Sequence, residues 1–183
     1  MAVIDVVHYG NPILRKVCNL VKDFSNLEPI IDDLFDSMYE AEGIGLAANQ
    51  VGIDMNLFII DITHTEEANT THTFINSSIV STNGNKEIFQ EGCLSLPGIA
   101  LEISRPKKVT LRYQTLDQEW HVDEFDGLLA RAIQHEMDHL NGIFIVDHVS
   151  EVEKLKYKAE LKEMEKNSKI SLESYKNKKR FVL

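Results

Sequence analysis

The sequence predicts an α+β fold in which antiparallel strands pack around a central helix, with an N-terminal helix and a C-terminal helix on either side in sequence. Apolar residues recur at helical spacing near the N-terminus, several strand-like runs follow, and helical spacing returns around residue 135. Strands that are grouped in sequence, with helices before and after them, are typical of this class. The 183 residues suit one domain spanning 1–183.

The first helix is predicted from apolar residues that recur over three turns between Leu27 and Tyr39. Ser25 or Asn26 can cap this helix, and Pro29 is tolerated in its first turn. Small residues then crowd the segment 43–52, where they allow a close approach to a ligand or to a neighbouring element. Spacing alone favours a helix exit followed by a tight turn.

The strand candidates occupy the middle of the chain. Asn83-Gly84 predicts a hairpin between two of them, and Asp117-Gln118 predicts another. The five candidate strands are Leu57 to Ile62, His72 to Val80, Lys86 to Gln90, Val109 to Leu116 and Glu119 to Val122.

The central helix is predicted from Phe125 to Gly142, with Asp126 at the N-cap and Gly142 where the chain leaves the last turn. It contains an H-E-x-x-H pattern from His135 to His139. Because residues i and i+4 project side by side on a helix, both imidazoles can reach one metal ion. We therefore expect this segment to be a metal-binding helix.

The helical phase places the histidines and the glutamate on the apolar side, which faces the interior. A buried ionisable cluster needs partners or a metal to offset its desolvation. One arc carries Leu128, Ala132, His135 and His139, and the next carries Leu129, Ile133, Glu136 and Leu140. The opposite face carries Arg131, Gln134, Asp138 and Asn141.

Two histidines leave a tetrahedral metal short of ligands. The residues alone leave Cys93, His121 and His148 open as the third ligand. Cys93 lies in a loop between a glycine and a proline, which suits the presentation of a thiolate. Cys18 and Cys93 are too few for a disulfide framework.

The net charge of −10 hides an asymmetry between the two parts of the chain. Residues 150–183 contain ten Lys and Arg and six Asp and Glu, a net charge of +4, so residues 1–149 carry a net charge of −14. An acidic body argues against direct DNA binding, whereas a basic end leaves room for an RNA-rich or anionic partner. Residues 150–183 are predicted to form a C-terminal helix with a fraying basic tail.

Composition also bears on the compartment. No apolar run approaches the roughly 18 to 20 residues of a membrane span, and the N-terminus has no signal-peptide pattern. We expect no membrane association and a cytosolic location, or an organelle if a transit peptide has been removed.

Three stretches, GIGLAANQ, EGCLS and QHEMDH, resemble in this order the three signature motifs of the peptide deformylase family. The opening GNPILR resembles the N-terminal region of that family, and the likeness runs from about Tyr9 to Asp147. One such motif is weak, but three in order are highly specific. The C-terminal segment resembles the type whose terminal helix contacts the ribosome.

The resemblance implies a metal held by Cys93, His135 and His139, with water in the fourth position. It implies Glu136 as general base and acid, and the Gln50 side-chain amide and the Leu94 backbone N–H as donors to the developing oxyanion. Fe²⁺ is the metal it favours, with Zn²⁺, Ni²⁺ or Co²⁺ able to substitute.

The implied substrates are N-formyl-methionyl nascent peptides, which would lose formate. The peptide would add as a strand against Ile44-Gly45 on one side and Gly92 on the other. The methionine side chain would enter a pocket bounded by Ile44, Leu128, Ala132 and His135. Asn49 stands where the family most often has proline, which implies altered loop stiffness and not lost activity.

Two alternatives compete with this interpretation. An H-E-x-x-H zinc peptidase would draw its third ligand from downstream, where His148 and Glu151 lack a recognised spacing. A structural metal-binding module would bind a partner without catalysis.

Overall fold

The computed structural model describes residues 2–66 and 69–180, with the backbone alone for 175–180. These residues form the helices α1 (Leu27–Glu40), α2 (Gly127–Leu140), α3 (Glu151–Leu155) and α4 (Lys158–Arg180). They also form the strands β1 (Gly45–Ala47), β2 (Leu57–Ile60), β3 (His72–Gly92), β4 (Ala100–Gln114) and β5 (Trp120–Phe125). The strands make one antiparallel sheet in sequence order, so the α+β prediction is confirmed.

Strand β2 lies between two layers of helix. Phe58 and Ile60 belong to the core cluster that contains α2, and Leu57 and Ile59 belong to the cluster that contains α1. Alternate side chains of a strand point to opposite faces, so four consecutive apolar residues can serve both layers.

Helix α2 is central, since each of its residues is buried or half-buried. The face that carries Arg131, Gln134 and Asp138 also packs inward: the Gln134 amide, for example, donates to the carbonyl oxygen of Pro106 on β4 at 3.0 Å. The helical phase of α2 predicted which residues share a face. It did not predict that other parts of the fold would cover the polar face.

The ends of α2 lie close to their predicted positions. Asp126 occupies the N-cap position, although its side chain makes no capping hydrogen bond. Gly142 follows the helix with a φ of 72°, and a Cβ there would lie 2.6 Å from the carbonyl oxygen of Arg15. Glycine is therefore required at this exit.

The predicted hairpin at Asn83-Gly84 is wrong. Strand β3 runs through it and pairs with β4 from Ile75 to Gly92, with a register shift beside Gly84, where φ is 81°. A glycine of positive φ serves a bulge as well as a turn. The predicted Asp117-Gln118 turn does join β4 to β5, and Gln118 has a φ of 68°.

The C-terminal segment forms α3 and α4. Leu161 is buried and Met164 packs against the core cluster to which Leu161 belongs, whereas Leu155 is exposed. Residues 181–183 of the predicted basic tail lie outside the described residues. No helix among those described combines the length and the apolar character that a membrane span requires.

Candidate metal centre and active-site cleft

Cys93, His135 and His139 converge on one point. One possible ligand atom from each residue lies within 4.8 Å of the other two, and Cys93 Sγ is 3.2 Å from His139 Nε2. Helix α2 supplies both imidazoles, one turn apart. The thiol comes from a turn after β3 that the Leu96 N–H closes on the Cys93 carbonyl at 2.9 Å. One sulfur and two nitrogen donors suit Zn²⁺ or Fe²⁺.

The other two candidates for the third ligand lie elsewhere. His121, on β5, stacks on Tyr113 with ring centroids 5.4 Å apart. His148 Nε2 lies 2.7 Å from a carboxylate oxygen of Asp138. Among the described residues, Cys93 is the one of the three that joins the histidines.

The two histidines differ in their electrostatic surroundings. Burial lowers the pKa of His135, but Cys93 and Glu91 outweigh it and raise that pKa well above its ordinary value. Burial, His135 and Arg105 all lower the pKa of His139, which is therefore neutral. A metal at this site competes with a proton at His135, so binding weakens as the pH falls.

Glu136 follows His135 on α2, next to these candidate ligands, and is almost fully buried. Its Oε2 has no hydrogen-bond partner among the described residues. Burial raises the pKa of Glu136 to about 7, although His135 and Arg105 oppose the rise. A carboxyl group that titrates near neutrality can both accept and return a proton.

Gln50 is held with its amide nitrogen toward the thiol. Its Oε1 accepts a hydrogen bond from the Ala47 N–H at 2.8 Å, and its Nε2 lies 3.3 Å from Ser95 Oγ and 3.9 Å from Cys93 Sγ. The segment predicted as a tight turn contains β1 and then a 3-10 helix, Ala48–Val51, that carries Gln50. Buried Ser95 was not singled out by the sequence, although it belongs to the EGCLS stretch.

Glu91 is the centre of a buried ion-pair network that sequence reasoning missed. Its carboxylate accepts from Arg105 at 2.8 and 2.9 Å, from Arg131 at 2.6 Å, and lies 3.1 Å from His135 Nδ1. Burial opposes ionisation, but the bonds to His135 and Arg105 outweigh it and hold the Glu91 pKa at about 2. A carboxylate behind a ligating imidazole fixes its orientation.

A cleft of about 790 Å³ opens in front of these groups. Gly45 and Gly92 lie on strands β1 and β3 at its border. The predicted substrate-binding residues all line it: Ile44, Gly45, Gly92, Leu128 and Ala132.

Convergent Cys and His side chains, together with a buried carboxylate oxygen that has no hydrogen-bond partner among the described residues, are typical of metal-dependent hydrolases. The model of the polypeptide deformylase family matches residues 3–155. The peptide deformylase of Cytophaga hutchinsonii is 39% identical over 165 residues, covering 88% of this chain and 90% of the relative. That of Chromobacterium violaceum is 41% identical over 169 residues, covering 92% and 99%.

Solved structures give the same result. A peptide deformylase from Legionella pneumophila superposes with a TM-score of 0.81 at 34% identity, covering 90% of this chain and 96% of the other. One from Synechococcus elongatus, in complex with actinonin, gives 0.77 at 40% identity, covering 88% and 85%. The chain therefore belongs to the polypeptide deformylase family, metal-dependent hydrolases that remove the N-terminal formyl group from nascent peptides. This membership disfavours the zinc-peptidase and structural-module alternatives.

Proposed function

We propose that this chain deformylates N-formyl-methionyl nascent peptides at the described cleft, with Cys93, His135 and His139 as metal ligands. The observation that supports this most strongly is the convergence of the three candidate ligand atoms near Glu136, whose buried Oε2 has no hydrogen-bond partner in the described part of the chain. The assignment of individual roles below is part of the proposal.

Fe²⁺ is the metal we propose, with Zn²⁺, Ni²⁺ or Co²⁺ able to substitute, because one thiolate and two imidazoles suit these ions. When bound, a divalent cation supplies Lewis acidity, which activates a water molecule and polarises the formyl oxygen. The orphaned Oε2 of Glu136 and the proximity of Cys93 to His139 fit such an occupant.

We propose that the peptide enters the cleft as an extra strand between β1 and the end of β3. Apart from Gly92 and its two chain neighbours, no heavy atom of the described residues lies within 4 Å of where a Cβ at Gly92 would be, so the backbone of a ligand can approach closely. Ile44, Leu128 and Ala132 offer the apolar surface for the methionine side chain. Backbone pairing provides affinity and the side-chain pocket provides selectivity.

Two donors can stabilise the charge that develops on the formyl oxygen. The Gln50 amide is fixed by its bond from Ala47, and the Leu94 N–H is not used by the turn that Cys93 and Leu96 close. Donors held in place before the reaction stabilise charge without reorganisation. Glu136 takes a proton from the attacking water and delivers it to the leaving amine nitrogen.

The direct test is formate release from a formyl-methionyl peptide by protein loaded with Fe²⁺ under anaerobic conditions. We expect turnover that a chelator abolishes. A cleft selective for the formyl group should not hydrolyse the N-acetyl analogue. Actinonin, which the Synechococcus protein binds, should inhibit competitively. Formate release that persists after chelation would contradict the proposal.

Two finer proposals concern the surroundings of the enzyme. The excess of positive charge after residue 149 supports contact of the C-terminal segment with the ribosome. Cosedimentation with ribosomes that survives truncation at Ser150 would contradict this contact.

The bacterial relatives support the cytoplasm as the compartment.

A further inference from the structure

Asn49 is a buried polar residue that the mechanism above does not use. It is 0% exposed and belongs to the 3-10 helix that carries Gln50. Its side-chain nitrogen donates a hydrogen bond to the carbonyl oxygen of His139 at 2.6 Å. The turn that holds Gln50 is thereby joined to the last turn of α2.

The same two residues each carry one buried polar atom that has no hydrogen-bond partner among the described residues. These atoms are Asn49 Oδ1 and His139 Nδ1. An amide oxygen can only accept a hydrogen bond. His139 turns its Nε2 toward Cys93 Sγ, so a metal bound among the three ligands takes Nε2 and leaves the hydrogen on Nδ1. The two unpartnered atoms are therefore an acceptor and a donor.

The other ligating histidine shows what His139 lacks. His135 Nδ1 lies 3.1 Å from Glu91 Oε2, so its outer nitrogen has an anionic acceptor. The ring of His139 is edge-on to Phe144 at 6.0 Å, and that apolar ring offers it no such acceptor. Metal-bound histidines almost always donate their outer N–H to a carboxylate, a carbonyl or a water.

We propose that Asn49 is a positioning residue for His139 in the metal-bound protein. Its amide nitrogen holds the backbone carbonyl, and its Oδ1 accepts the Nδ1 hydrogen across one bridging water, since the two atoms are not hydrogen-bonded to each other directly. This fixes the tautomer and the orientation of the ring. Proline, which the family resemblance led us to expect at position 49, has neither group. The inference rests on the proposed metal centre.

Titration of metal-free protein with Co²⁺ tests this proposal, with the dissociation constant and the visible absorption bands as readouts. Asn49→Leu removes donor and acceptor at similar volume, and we expect binding weakened about 10- to 100-fold and shifted bands. Asn49→Asp keeps an acceptor but loses the donor, so it should bind Co²⁺ more tightly than Asn49→Leu does.

Asn76→Leu is the matched control. Asn76 is also buried, and its amide bonds to the backbone of Val21, away from the cleft. We expect this variant to lose stability but to keep the Co²⁺ affinity and spectrum. The proposal would be overturned if Asn49→Leu kept the Co²⁺ affinity and absorption bands of the unaltered protein. An equal loss of Co²⁺ affinity in Asn76→Leu would also overturn it. If the unaltered protein shows no thiolate-to-cobalt band, the metal centre itself is refuted.

Discussion

At the level of single residues, the position of Glu136 depends on Gly45. A Cβ at residue 45 would lie 2.6 Å from Glu136 Oε1, which is closer than real Cβ contacts come. The small residue therefore allows the carboxylate to stand at the border of the cleft, and the backbone of β1 to pass directly beside it.

Gly45→Ala is expected to displace the Glu136 carboxylate and lower kcat about 10- to 100-fold, because proton transfer depends on placement to within about 1 Å. Formate release under saturating substrate measures the effect, and circular dichroism checks the fold. Gly84→Ala serves as the control: its φ of 81° makes it strained, but it does not line the cleft. It should lose stability and keep kcat. Equal kcat in both variants would refute the role of Gly45.

Local periodicity explains which residues of the site can be predicted from sequence. The phase of one helix is enough to bring His135, His139 and Glu136 to one side, since it depends on neighbours within a few residues. Arg105 depends on a partner 14 residues away and gave no such signal. Arg105 shares the inward face of β4 with Leu101 and Ile103. The alternation of side chains along this strand would therefore have indicated that Arg105 is buried.

Between elements, the Glu91 network joins β3, β4 and α2. Glu91 lies on β3, Arg105 on β4 and Arg131 on α2, and Arg105 also donates to Asp138 at 2.8 Å. These charges are largely removed from water. A buried charge of this kind is tolerated only while its partners are present, so the network makes the packing of the three elements interdependent.

The free energy of unfolding should depend on pH through Glu91. Its pKa is about 2 when folded and 4.5 as the unfolded reference, so its contribution is fully present above 4.5 and is lost as the pH falls toward 2. Relative to the unaltered protein, Glu91→Gln should be less stable by roughly 3 kcal/mol at neutral pH, and the difference should shrink below pH 4.5. Urea unfolding of metal-free protein measures both.

Glu124→Gln is the comparison for that experiment. Glu124 pairs with Lys108 at 2.8 Å on the surface and should contribute little. A constant difference between the unaltered protein and Glu91→Gln from neutral pH to pH 2 would contradict the assigned pKa.

The elements that sequence reasoning mispredicted depend on long-range pairing. Asn83-Gly84 is a hairpin signal locally, but β4 pairs across it and converts it into an irregularity of a long strand. The first half of β4 contains Pro106, a residue that argues against a strand until its partner is known. By contrast, α1 and α2 are defined by their own apolar periodicity.

At the level of the whole molecule, an N-terminal segment connects α4 to the site. The N–H of Val7 donates to the Gln50 carbonyl at 2.7 Å, and that of Tyr9 donates to the Ser95 carbonyl at 2.9 Å. From the other side, Ser168 Oγ on α4 lies 3.0 Å from the carbonyl oxygen of His8 and 2.9 Å from that of Tyr9. The terminal helix thus stabilises the segment that braces both site turns.

Ser168→Ala should lower the free energy of unfolding by about 1 kcal/mol, because it removes a buried hydroxyl bond to the backbone. For a chain of this size the Tm should fall by roughly 2–4 °C. Ser171→Ala, on an exposed position of the same helix, controls for helix propensity and should not lower the Tm. An equal Tm in both variants would show that the contact contributes no stability.

The central claim, hydrolysis at a Cys93, His135 and His139 metal site with Glu136 as proton carrier, is tested most directly by Glu136→Ala. Metal content and formate release are measured on the same sample. Burial outweighs the attraction of His135 and Arg105 for the Glu136 carboxylate, whose Oε2 has no hydrogen-bond partner among the described residues, so the variant should keep its fold. We predict that it keeps one metal per chain while formate release falls about 100- to 10,000-fold. Undiminished formate release by the metal-loaded variant would contradict the account.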